Sequence, residues 1–175
     1  MRSLRAFALA VVLFPIAAAT HEVTNIVLYS ALGYPASLEV TPWRSALFGF
    51  QVFGVHAAAG RTPTVPVHVA VDLGGPALAA ALFSVLWLAA ARGALRTALL
   101  ANVLVLAFFA VLEGIFAVGE NVLHLELDVL TVPEISYAGS LAVVLGTVVA
   151  VGRRPRQPAR KRAIASSAAG SAPTV

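Results

Sequence analysis

The chemistry open to this sequence rests on a few polar side chains set inside apolar runs. The stretch AAATHEVTN, residues 17–25, presents His21, Glu22 and Asn25 after fourteen residues, Ala6 to Ala19, that carry no charge. Drawn as a helix, it puts His21 and Asn25 one turn apart on one face, with Glu22 beside them. A second run, ANVLVLAFFAVLEGIFAVGENVLHLE, holds Asn102 and then Glu113, Glu120 and His124, the last three at offsets of seven and four. Those offsets trace one stripe of a helix. A charged side chain within a membrane span costs about 2.5 to 3.5 kcal/mol on insertion scales, so such a group is read as functional by default. Carboxylates and imidazoles converging there could hold a metal ion, relay protons or form a buried ion pair. No Lys or Arg lies close in sequence to complete such a pair.

The elements that position these groups follow from composition. Hydrophobic residues make up 59% of the 175-residue chain and charged residues 11%, with a mean hydropathy of +0.89. A water-soluble domain would be left with too little polar surface. The expectation is an all-α membrane protein of about four transmembrane helices, with a small β element in the first extramembrane loop. Apolar runs place the spans near residues 6–32, 75–91, 97–118 and 135–151, each close to the roughly 20 residues a bilayer requires. Residues 1–152 then form one polytopic membrane domain, and residues 153–175 a basic tail without apolar period, expected to be disordered and cytoplasmic. The chain has no cysteine, which excludes disulfides and thiolate chemistry.

Basic residues suggest an orientation. Arg2 and Arg5 precede the first span, Arg92 and Arg96 separate the second from the third, and six more follow the fourth, leaving only Arg44 and Arg61 on the other side. By the positive-inside rule both termini are cytoplasmic, in what is expected to be the cell membrane. Tyr34, Trp43 and Tyr137 fall near one interface and Trp87 near the other, as aromatic belts require. Arg2, Arg5 and the small residues Ala17 and Ala19 also have the form of a cleavable signal peptide. Cleavage would strand IVLYSALG as half a span, so the first segment is expected to be retained. In the loop, TVPVHVAVDL alternates valines with other residues and SLEVT alternates similarly; both are expected to be strands that pair. His56 and His68 are then loop residues, and Glu126, Asp128 and Glu134 a solvated face.

Depth brings the two polar runs together. Arg5 to Glu22 is seventeen residues, and so is Arg96 to Glu113; at ~1.5 Å per residue both glutamates lie ~25 Å from the same end. Here the pattern resembles the site-2-type zinc intramembrane proteases. HEVTN is similar to their H-E-x-x-H. ANVLVLAFFAVLEG is similar to their N-x-x-N-x-x-P-x-x-x-L-D-G segment, and LGGPALAA to the G-P-x-x-N that opens another family helix. The order matches as well, with strands between the first and second pieces, and the resemblance covers roughly residues 15–118.

Several positions depart from the family pattern. Asn25 stands where the family has its second zinc histidine, Glu113 where it has aspartate, Val105 where it has its second asparagine and Ala79 where it has the asparagine after G-P; the proline of the third segment is absent. The resemblance implies zinc held by His21 and Glu113, with His124 or His68 supplying the lost ligand, and Glu22 as general base in cleavage of transmembrane helices. The alternatives are a pseudoprotease-like scaffold that binds partner membrane proteins, or a small transporter or proton carrier using Glu22, Glu113 and Glu120. Membrane lipids are expected partners, and nucleic acid is not.

Overall fold

The structure, a computed structural model, describes residues 2–44, 51–125 and 132–153. The chain runs α1 (Arg2–Ala31), β1 (Ala36–Arg44), β2 (Gln51–Ala59), α2 (Val65–Ala89), α3 (Ala94–Asn121) and α4 (Val132–Gly152). Among the described residues, four helical stretches are long and apolar enough to cross a membrane: Ser3–Ala31, Val65–Ala89, Ala94–Asn121 and Ile135–Gly152. The chain is an integral, multi-pass membrane protein, mostly helical, with one two-stranded antiparallel sheet after the first helix. The expected tail lies outside the described residues, as do Glu126 and Asp128.

Side-chain distribution follows from lipid as the solvent. Large apolar residues such as Val12, Val85, Leu88, Val111 and Ile115 face outward, where hydrocarbon accepts them at no cost. The interior is built from small residues: Ala10, Ala17, Ala79, Ala98 and Ala101 are buried. Small side chains let helix backbones approach closely, the usual basis of packing inside a membrane. Polar ties add to it. Asn102, fully buried, donates from Nδ2 to the Ala10 carbonyl of α1 at 3.2 Å and to the Ala98 carbonyl of its own helix at 3.0 Å. The Thr24 hydroxyl reaches the Gly75 carbonyl of α2 at 2.7 Å. Helices α1, α2 and α3 form the packed centre, and α4 lies against α3 and α1.

The loop differs from the sequence-based expectation in one element. SLEVT is indeed in a strand, but its partner is β2, in the register Leu38↔Ala57, Glu39↔His56 and Val40↔Val55. TVPVHVAVDL is not a strand; from Val65 it opens α2, with Thr64 as N-cap and proline in the first turn. A proline there gives up only an amide that has no helical partner, and its fixed φ suits the first turn. Valine alternation favours a strand only where a sheet is present to receive it. Here the apolar run continues unbroken into the span, and the helix satisfies every backbone group that lipid would leave bare.

Candidate functional site

The polar residues of α1 and α3 meet. His21, 3% exposed, sits on α1 with its Nε2 3.1 Å from Glu113 Oε2 on α3, so the equal depths counted from the two arginines correspond to a real contact. One turn along α1, the Asn25 amide Nδ2 lies 3.0 Å from the same Nε2. Phe109 of α3 packs on the imidazole, with ring centroids 5.8 Å apart. On the other side of the ring, Glu22 Oε1 is 3.8 Å from Nδ1. The second Glu22 oxygen accepts the Ala57 N–H of β2 at 2.8 Å. The sheet is thereby fixed to the helix that carries the histidine.

One nitrogen therefore has two polar neighbours. Nε2 carries either a proton, which it donates to Glu113, or a lone pair, which accepts from Asn25. In the neutral imidazole these are two tautomers, with the proton on Nε2 or on Nδ1. Asn25 is held from behind as well: a Cβ placed on Gly75 of α2 would overlap its amide oxygen, so α2 approaches α1 at this level only because residue 75 has no side chain. Asn25 Oδ1 is buried and has no hydrogen-bond partner among the described residues.

A cavity of about 200 Å³ opens beside His21, with Glu22, Asn25, His56, His68, Asp72, Glu113 and Glu120 in its wall. His68 and Asp72 are one turn apart on α2, with Nε2 3.5 Å from Oδ2. The other ring nitrogen, Nδ1, meets the Tyr29 hydroxyl of α1 at 3.1 Å. Asp72, Tyr29 and Gly75 are the site residues that sequence reasoning missed. The His-x-x-x-Asp spacing just after T-x-P is a signal that could have found the first, had the segment been read as a helix start.

Of the expected residues, His21, Glu22, Asn25, Glu113 and Glu120 come together. Asn102 lies three turns before Glu113 and ties helices instead. His124 is not on the stripe: α3 ends at Asn121 and His124 follows it with φ +52°, away from the cavity wall. The helix stops before the stripe reaches it.

His21 and Glu113 are two of the donors that the resemblance implies for zinc. His21 Nε2 and Glu113 Oε2 stand 3.1 Å apart, about the separation of two atoms sharing a metal at 2.0–2.1 Å, but such a centre takes three protein ligands. The third neighbour is an amide, and among the described residues no group of three His, Cys, Asp or Glu side chains is placed to hold a metal ion. No protein family, curated protein or solved structure matches the chain.

Proposed function

We propose that this chain is a non-hydrolytic relative in form of the site-2-type membrane proteases: a scaffold that binds other membrane helices at the face bearing the polar cavity. The observation that carries this reading is Asn25. Its amide fills the place of a third ligand, lies 3.0 Å from His21 Nε2 and packs so closely on Gly75 that no Cβ fits between them. The packing of α1 on α2 is thus adapted to an amide. Supporting it are the order of elements, with the histidine helix, a two-stranded sheet, a G-P helix and an acid-bearing helix in succession, and the Glu22 contact that fixes the sheet beside the site.

In this account Glu113 and Asn25 hold the imidazole, and Glu22 anchors β2. No residue activates water. The test is co-reconstitution of the full chain with fluorescent single-span helices in liposomes containing excess zinc. Energy transfer should report association, while the mass of the probe stays unchanged over hours. A probe cut into two fragments by the wild type, and left whole by Glu22→Gln, would contradict the proposal and return the protein to the proteases.

A further inference from the structure

Four carboxylates, those of Glu22, Asp72, Glu113 and Glu120, line one cavity within the apolar part of the chain, and among the described residues no Lys or Arg lines it. Two of the described basic residues are engaged elsewhere. Arg61 donates to the Gly33 carbonyl at 3.0 Å and stacks 4.6 Å over the Tyr34 ring. Arg96 lies 5.2 Å over Trp87, beyond the far end of α2. Three of the acids have polar company: His21 for Glu113, the Ala57 amide for Glu22 and His68 for Asp72. Glu120 has none among the described residues. Asn25, 7% exposed, also lines the cavity, while its amide oxygen packs against Gly75. Among the described residues the wall carries four carboxylates, two imidazoles and an amide, and no Lys or Arg.

Beside it runs an apolar groove of about 480 Å³ lined by residues of α2, α3 and the turn after α3, among them Leu73, Gly114, Ile115, Val118 and Gly119, with no polar side chain in its wall among the described residues. Leu73 follows Asp72, Gly114 follows Glu113 and Gly119 precedes Glu120. Groove and acidic cavity thus occupy adjoining positions along the same two helices. Gly114 leaves room for the Leu73 side chain of α2, which packs over it.

We infer that the partner is a transmembrane helix that carries a Lys or Arg in the leaflet of the four carboxylates, its apolar face in the α2–α3 groove and its cationic head in the cavity. This rests on the helix-binding reading and names the partner's chemistry. A water's share of liquid volume is ~30 Å³, so the cavity has room for an alkylammonium or guanidinium head with attendant water. Long basic side chains reach polar sites while their methylenes lie along apolar surface.

The experiment uses the full chain in phosphatidylcholine liposomes with three single-span Leu/Ala probe helices, identical except for Lys, Leu or Glu at the depth of Glu113, and reads association by energy transfer. The Lys probe is expected to bind about tenfold or more tighter than the Leu probe, on the scale of desolvated charge pairs, with the Glu probe weakest. Asp72→Asn with Glu120→Gln should shrink the Lys preference to a few-fold. Equal binding of the Lys and Leu probes would overturn this inference and leave helix binding intact. Binding of no probe would overturn both. A Lys preference untouched by the two substitutions would show that the cation goes elsewhere, and would overturn the cavity's role.

Discussion

Asn25 and Gly75 are a matched pair, and their contact decides what the site can be. The glycine permits the amide, and the amide fills the space the glycine leaves. Gly75→Ala should therefore destabilise the protein in detergent by about 1–3 kcal/mol, the usual cost of overpacking. Most of that loss should vanish in an Asn25→Ala background, where the new methyl has room. Thermal unfolding of the four members of this cycle checks it, and additive losses would show that the two residues do not meet. The sequence marks both positions, through HEVTN and LGGP, but not their contact. Nothing in the spacing of either motif fixes how closely two helices approach. The same holds for the His21–Glu113 pair: the equal counts from Arg5 and Arg96 give the common depth, whereas the 3.1 Å contact depends on which faces meet.

Among the elements, the four spans are legible because length and hydropathy alone define a membrane helix. Their ends are not. The start of α2 was hidden because valines at alternate positions satisfy the pattern of a strand, while Thr64 and the proline after it mark a helix start equally well. That one ambiguity removed Asp72 from the sequence-based site, since His68 and Asp72 share a face only in a helix. β2 was missed because QVFGVHAAA lacks a clean alternation; its place follows from pairing with β1 and from Glu22. The Ala57–Glu22 bond is the element-scale link between sheet and site. Glu22→Gln keeps an acceptor for the Ala57 amide and should change stability by less than about 1 kcal/mol, whereas Glu22→Ala leaves that donor unpaired and should cost about 1–3 kcal/mol. Equal effects of the two substitutions on thermal unfolding would mean that the sheet is held in place by other contacts.

At the scale of the whole molecule, charge is divided between the two ends. Arg5 and Arg96 lie in the first turns of α1 and α3, Arg92 just before α3 and Arg153 just after α4, all at one end, and the cavity acids lie toward the other. If the basic end is cytoplasmic, as the positive-inside rule expects, single cysteines at Ser37 and Ser3 should differ in intact cells: an impermeant thiol reagent should modify the first and spare the second, and the reverse result would invert the orientation. The division also sets the chemistry, because the acid-bearing end offers hydrogen-bonded carboxylates and an amide where a hydrolase would present a third metal ligand. Zinc per chain is the direct measurement of that difference. Purified full-length protein, exposed to excess zinc and desalted, should retain far less than one equivalent, and Asn25→His should retain more than the wild type because it supplies the missing donor. One equivalent in the wild type, lost in both His21→Ala and Glu113→Ala, would contradict the account.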